Sequence, residues 1–292
     1  MQEWLEGGTS PVFFIFDPQQ RIYWFYLLPS LLLAMLIYGR TAFKLKHWFN
    51  ASSGLDLIWL FINQWLSKLL IIPLFAMQIS LILAFNQSLQ QLFGRGKFFF
   101  IADSYLALML AFSLFILNDF SKFIIHRALH RIPFLWRFHA VHHSATSMSP
   151  LTLYRIHPLE LALNALRSLL VNVLTSGLFL YLFKNNLTIL DLLGVNIFVF
   201  LFNMAGSNLR HSHIWIGFGR WERFFISPAQ HQIHHSAQRK HFDKNFGSAL
   251  AIWDVFFNTL LVSHDQKVDS FGLDQSGKNR QSVKQQWLGI RY

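Results

Sequence analysis

The 292-residue chain contains no cysteine. That excludes disulfides, a thiolate-ligated haem, Cys-held iron–sulfur clusters and Cys-based zinc sites, so any metal must be held by His, Asp or Glu. Charge is almost as scarce, with 13% of residues charged and 53% hydrophobic, against roughly 25% charged in a soluble domain. The chain is therefore expected in a membrane. Acids are the scarcer sign, 14 against 25 Lys and Arg, for a formal net charge of +11. No polar basic domain exists to carry nucleic-acid binding. In so apolar a chain the positive surplus belongs on loops facing anionic headgroups and the cytoplasm. Also missing is a Gly-x-Gly-x-x-Gly after a strand, the mark of a bound nicotinamide or flavin. The Gly94-Arg95-Gly96 and Gly217-Phe218-Gly219 segments read as turns, and no cofactor-binding residues are expected. Neither His-Glu-x-x-His nor its inverse is present, which argues against a zinc hydrolase. No positively charged leader precedes the first apolar run, since the opening residues carry Glu3 and Glu6. That run is expected to be retained.

Apolar stretches long enough to cross a hydrocarbon core of about 30 Å lie at about 22–38, 67–85, 98–117, 159–183 and 187–205. They predict an all-α, polytopic membrane protein with four or five transmembrane helices in a single domain over 1–292. Within Leu55 to Phe85, the polar Asn63, Gln64 and Lys68 mark a change that would suit an interfacial helix followed by a span. A tight turn is expected at Lys184-Asn185-Asn186. The polar segments 118–158 and 206–264 form a cap, and a polar tail runs from 265 to 292. With the amino terminus outside, the inner side collects Arg40, Lys44, Lys46, the basic residues from Lys122 to Arg155 and those from Arg210 onward. The outer side keeps little beyond Arg21, Arg95, Lys97 and Lys184. The positive-inside rule then places the cap on the cytoplasmic face.

What the chain has in abundance is histidine, fourteen in all. Eight fall into three groups: His126-Arg-Ala-Leu-His130, His139-Ala-Val-His142-His143 and His231-Gln-Ile-His234-His235. Residues three and four apart share a helix face, so each helical group can aim two or three imidazoles at one point. The expected spans bring all three groups out on the same side of the bilayer. Eight imidazoles are too many for one four-coordinate zinc, and His211 makes nine, which suits two metals with four or five nitrogen ligands each. Imidazole favours iron, copper and zinc over magnesium or calcium. His47 and His264 stand alone and are left as surface residues. His157 and His241 lie near the groups and are candidates for a further ligand or an outer position. Metal-bound imidazoles pass their other nitrogen to a carboxylate or carbonyl, which makes Asp119, Asp243, Asn245 and Asp254 supporting candidates.

Taken in this order, and with their accompanying residues, the groups resemble the fatty acid hydroxylase and sterol desaturase superfamily of non-haem di-iron membrane enzymes. The likeness runs from Asn118 to Asn258 and includes Asp119, Trp136, Arg155 with His157-Pro158-x-Glu160, Ser227-Pro228, Asp243-x-Asn245-Phe246-Gly247 and Trp253-Asp254. The superfamily's closing Phe-Gly-Thr is here Phe257-Asn258-Thr259. The resemblance implies that His126, His130, His139, His142, His143, His231, His234 and His235 ligate metal, with His211 completing the set and His213 as the alternative. It implies two irons, with zinc able to replace them on purification, that use dioxygen to hydroxylate or desaturate a lipid. Electrons would come from a ferredoxin or a b-type cytochrome. Basic residues Arg210, Arg220, Arg223, Arg239, Lys240 and Lys244 could dock such a donor, and lipid headgroups would explain them equally well. The spacing from His139 to Arg155 and from His211 to Asn245 also looks like the alkylglycerol monooxygenase branch, which would use a reduced pterin. A reading from another class is a membrane metal transporter, against which the histidines follow the ends of spans instead of lying at mid-membrane.

Overall fold

Proline decides where several helices begin. In the computed structural model, which describes residues 15–16, 22–39, 50–183, 187–188, 197–204, 207–273 and 282–290, Pro133, Pro158 and Pro228 each open a helix. At that position the missing N–H would have no intrahelical partner in any case. The longest helix, α5 (Asp103–Arg131), stops where Ile132 is held extended by the proline that follows it. Its successor, α6 (Pro133–His143), starts at once in a new direction. Before them come α1 (Trp24–Tyr38), α2 (Ala51–Leu66), α3 (Ile72–Ala76) and α4 (Gln78–Phe93). After them come α7 (Pro158–Leu182), α8 (Ile197–Met204), α9 (Pro228–His234), α10 (Ile252–Phe256) and α11 (Val283–Trp287), with short 3-10 turns between. Among the described residues there is no strand, only isolated bridges such as Phe225 with Leu250.

Three helical stretches are long and apolar enough to cross a membrane: Ala51–Phe93, Asp103–Arg131 and Pro158–Leu182. At 15 residues, α1 spans roughly 22 Å, short of the hydrocarbon core. The stretch Ala51–Phe93 is interrupted where the sequence turns polar. Between Ser67 and Ile71 the ladder loosens to a π-turn in which the Ile72 N–H reaches back to the Ser67 carbonyl. Pro73, which has no N–H to give, follows directly. The apolar run expected from residue 98 turns helical only at Asp103, because the amides of Lys97 and Phe98 are engaged by the carbonyls of Tyr181 and Leu182 at 2.6 and 2.8 Å. Of the expected span 187–205, Ile197–Met204 is helical. Residues 189–196 and 205–206, the turn 184–186, the loop residues Arg40, Lys44 and Lys46, and the tail at 274–281 lie outside the described residues.

The chain divides into two compact units. Met1–Trp65, Phe123–Leu161 and Phe202–Tyr292 form the first, and Leu66–Lys122 with Ala162–Leu201 the second. The first unit has a core of Trp59, Ala140, Val141 and Ile290, with Ile62, Trp136 and Leu273 packed against it. That core seats α6 against α2 and against the carboxyl-terminal segment. Trp287 stacks on Trp59 at 6.1 Å, and the Ile290 amide donates to the Arg137 carbonyl. In the second unit Leu106, Leu110 and Leu114, one helical turn apart on α5, pack on Phe179 and Phe183. Apolar residues such as Leu69, Leu108, Phe112 and Leu170 point outward, as side chains in lipid do. Within this unit Gly177 on α7 lets α4 approach. A Cβ there would stand 2.6 Å from Phe85 Cδ1 and 3.2 Å from the Ile82 carbonyl oxygen, the use small residues serve between membrane helices. Replacing Gly177 with Leu is expected to cost about 1–3 kcal/mol through overpacking. A lowered thermal midpoint in detergent, followed by circular dichroism, checks this, and an unchanged midpoint would show that the contact has slack.

Candidate metal centre

All nine histidines expected as ligands lie in the first unit, and helical geometry sorts them into two groups. Successive residues on a helix point about 100° apart, whereas residues four apart nearly eclipse. The i, i+4 pairs His126/His130 on α5 and His139/His143 on α6 gather in one group with His234. The pair His231/His235 at α9 joins His142 and His211 in the other. Within each group the candidate ligand atoms lie within 4.8 Å of one another, close to the roughly 4.2 Å that separates nitrogens across a metal with 2.1 Å bonds. The neighbouring residues of His142-His143 and His234-His235 thus serve different groups. That departs from the expectation that each sequence cluster aims at a single point. His143 and His235 stack at 4.4 Å, so the groups are adjacent, as a binuclear centre requires.

The outward nitrogens of four imidazoles are tied down. His126 Nδ1 donates to the Phe246 carbonyl (2.8 Å), His142 Nδ1 to the Arg155 carbonyl (3.1 Å) and His234 Nδ1 to the Lys244 carbonyl (2.8 Å). His139 Nδ1 meets Glu160 Oε2 at 2.9 Å. A carbonyl can only accept, so Nδ1 carries the proton and a neutral ring turns a bare Nε2 inward. The inward Nε2 atoms of His130, His139, His143, His234 and His235 are buried and without a hydrogen-bond partner among the described residues. Each such orphan costs about 1–3 kcal/mol. His211 Nε2 lies 3.2 Å from His142 Nε2 and 3.0 Å from His231 Nε2. Converging lone pairs of this kind fit metal ions, and the donor set, all neutral nitrogen, fits iron, copper or zinc. Burial above all pushes His143, His231 and His235 well below the ordinary histidine range, aided by neighbouring imidazoles, and takes His142 and His234 down to about 3. At neutral pH these rings are uncharged and able to ligate.

Further residues hold these supports. Asp254 accepts from the Phe246 and Gly247 amides (2.8 and 2.7 Å) and from Thr259 Oγ1 (2.6 Å), and so fixes the carbonyl that receives His126. Gly247 is required there, since a Cβ would come within 2.6 Å of the Leu250 carbonyl oxygen. Asn245 bridges the Gln230 and Leu261 carbonyls beneath α9. Seven residues long, α9 would be marginal alone. It is capped reciprocally by Ser227 and Gln230. Asp243 Oδ1 stands 3.9 Å from His130 Nδ1, with Arg131 at 3.5 Å from its other oxygen. It lines a cavity of about 280 Å³ that opens onto His130, His143 and His234.

The structure leaves other candidates outside the groups. His157 donates from Nε2 to the Trp287 carbonyl and accepts the Leu159 amide at Nδ1. His241 pairs with Gln266 (3.2 Å), and His213 lines a separate cavity with Trp215 and Gln232. Asp119 belongs to the second unit.

Two acids carry more than the sequence reading assigned. Glu160 entered only as part of a motif, yet it receives His139. Asp56 on α2 was passed over. It is wholly buried and grips Arg155 at 2.7 Å, with Thr152 at 2.9 Å. Arg155 also donates to Ser52 and Ser144, and its carbonyl receives His142. Asp56 could have been found, because a lone acid in an apolar run signals a buried partner.

Helices apolar enough to cross a membrane and two adjacent histidine groups that could hold metal are what comparison with known proteins then places. The fatty acid hydroxylase family model matches residues 111–259, half the chain and all nine histidines. The chain belongs to the fatty acid hydroxylase family. It is 26% identical to alkylglycerol monooxygenase of Homo sapiens over 60% of its own length and 36% of that protein's. Against alkylglycerol monooxygenase of Caenorhabditis elegans it is 26% identical over 53% and 28% of the two lengths. Against the ornithine lipid hydroxylase OlsE of Rhizobium tropici it is 28% identical over 49% and 39%. The chain thus spans well under half the length of these relatives. No solved structure matches it.

Glu160→Gln is expected to weaken metal binding by about 10–100-fold by removing the charge behind His139, read by metal retention during dialysis. Asp56→Ala would strand the buried Arg155 and cost about 3–5 kcal/mol. Retained stability would show that the serines around Arg155 suffice. Unfolded histidines bind protons below about 6.5, whereas the buried rings do not until far lower pH. The unfolded state therefore takes up protons first, and stability falls as pH drops from about 6.5 toward 3. Melting of metal-depleted protein at pH 8, 6 and 5 should show a progressive decline.

Proposed function

We propose that the protein is an integral membrane oxygenase that uses two iron ions held by the nine histidines to hydroxylate or desaturate a lipid. The observation that carries this reading is the pairing of two adjacent, buried, all-imidazole groups in a chain of this family. Bound as a pair, iron supplies the reduction of dioxygen and an oxidant able to break an aliphatic C–H bond. His126, His130, His139, His143 and His234 would hold one ion, and His142, His211, His231 and His235 the other. Glu160 and the carbonyls of Arg155, Lys244 and Phe246 orient the ligand rings and keep their protons outward. Trp136, Phe242 and Leu273 line an apolar approach to the first group. Asp243, at its rim, can hold or pass a proton between bulk water and that cavity. Zinc would fill the same nitrogens in protein purified aerobically.

Curated relatives act, by their names, on alkylglycerols and on ornithine lipids, which supports a lipid substrate. The resemblance to the alkylglycerol monooxygenase branch would make a reduced pterin the electron source, as the alternative to a ferredoxin or b-type cytochrome. The bias of Lys and Arg supports a cytoplasmic centre.

Protein expressed with iron and purified anaerobically is expected to hold two irons per chain, and after reduction to consume dioxygen when offered mixed lipids. Mass spectrometry would then find a lipid gaining one oxygen or losing two hydrogens. Pterin and ferredoxin supplied in turn identify the donor. His142→Ala and His234→Ala should each lose activity and part of the iron while still inserting into membranes. Full turnover by either variant would remove that residue from the ligand set, and metal uptake without oxygen consumption would favour transport.

A further inference from the structure

The segment Gly219–Phe225 and helix α10 each carry their own acid on the inside, while the exposed Asp265 is taken up by His264 at 2.7 Å. Glu222 is 1% exposed and accepts from Ser227 Oγ and Ser263 Oγ (both 2.6 Å), the Ser263 amide (2.7 Å) and the Phe218 amide (3.2 Å). Asp254 is buried against Phe246, Gly247 and Thr259 as described. What these segments turn outward is aromatic and basic: Trp221 (53% exposed), Phe224, Phe225 and Phe256 (78% exposed), with Arg220 and Arg223 exposed between them. The two segments are joined, since the Ala251 amide donates to the Phe224 carbonyl at 2.9 Å and the Ile226 amide to the Ala249 carbonyl at 3.0 Å. Trp221 and Phe224 lie side by side with ring centroids 6.0 Å apart, and the joined backbone keeps the exposed rings of both segments in one neighbourhood.

We propose that this face inserts into the headgroup layer of an anionic bilayer, with the aromatic rings at the acyl boundary and Arg220 and Arg223 on lipid phosphates. Two observations choose a bilayer over another occupant. Phe257, next to Phe256, packs on Phe123 at 5.1 Å, and Arg127 lies over its ring at 5.3 Å. Both partners belong to the closing turns of α5, a membrane-spanning helix. The face is therefore fastened to the place where a span leaves the hydrocarbon. Its chemistry is also that of an interfacial anchor: amphipathic aromatics sit at headgroup depth, and arginines are drawn to anionic lipid. With both acids turned inward, no carboxylate of these segments opposes that attraction. The inference does not rest on the metal chemistry.

The absence of cysteine allows a clean test. Phe256→Cys in the full chain, carrying a nitroxide, is reconstituted in bilayer discs of phosphatidylcholine alone or with phosphatidylglycerol. Lys267→Cys, 87% exposed at its side chain, serves as the water-facing control. The label at 256 is expected to be relaxed by membrane-dissolved oxygen and shielded from an aqueous nickel chelate, more so in the anionic discs, with the reverse at 267. Adding Arg220→Glu and Arg223→Glu should lower the immersed fraction in anionic discs by an order of magnitude or more, since each arginine near such a surface favours it by about a factor of five. Circular dichroism and metal content show that the variants fold. A label at 256 as open to nickel as that at 267 would overturn the proposal and leave a face suited to a soluble partner. Immersion indifferent to lipid charge and to the arginines would overturn the anionic-headgroup assignment.

Discussion

Nine imidazoles brought together with neighbouring rings 4.4–5.8 Å apart would repel one another if protonated, and would bury orphan lone pairs if neutral and unpartnered. Burial removes the first difficulty by keeping the rings neutral, the outward Nδ1–H bonds then settle which nitrogen of the neutral ring faces inward, and a bound cation would resolve the second. The surrounding fold can be read as whatever supplies those outward acceptors. Three are backbone carbonyls, which keep their polarity at any pH, and the fourth is Glu160. Phe246 and Lys244, whose carbonyls accept from His126 and His234, flank Asn245, which is left-handed at φ 56°, as is Asp243 at φ 58°. That local turn aims two carbonyls at two different helices within three residues.

Adjacent His-His pairs make the two groups inseparable. Because His142 and His143 face different groups, a rotation of α6 that improved one would spoil the other, and His234-His235 imposes the same condition on α9. The helices carrying these pairs are therefore locked from outside: α9 by its reciprocal cap and Asn245, α6 by Trp59, Ile62 and Ile290. Acids are few, yet Asp56, Glu160, Glu222 and Asp254 are all buried and all bonded. Spending the scarce sign on the interior leaves an exterior more basic than the composition alone suggests.

How far the sequence could be read follows from the kind of signal each feature leaves. Histidines four apart announce a shared helix face, so the helical character of their segments and the gathering of their imidazoles were visible. The assignment of His142 and His234 away from their neighbours was not, because an i, i+3 spacing is compatible with one metal or two until the helix directions are known. Three of the expected spans fall in helices long and apolar enough to cross a membrane, but their edges were not legible from hydropathy. The start of α5 was delayed to Asp103 by backbone pairing between residues 97–98 and 181–182, which no apolar run records. Asn245 and Asp254, expected as direct supports of imidazoles, instead hold backbone one step further out. Asp56 looked like a misplaced polar residue in an apolar helix, and its partner lies 99 positions away.

That Asp56–Arg155 pair bears on the electrostatics of the centre as well as on its shape. Soluble carboxylate-bridged sites neutralise their metals with ligand charge, whereas an all-imidazole set contributes none. Positive charge close by would then oppose metal binding, and Arg155 brings a guanidinium onto the residue whose carbonyl orients His142. Pairing it with a fully buried carboxylate at 2.7 Å cancels that charge locally while keeping the rigid, many-bonded anchor that an arginine provides. The desolvation cost of such a pair means that it need not add stability over an apolar substitute. Its effect is to hold one carbonyl in place without adding net charge to the centre.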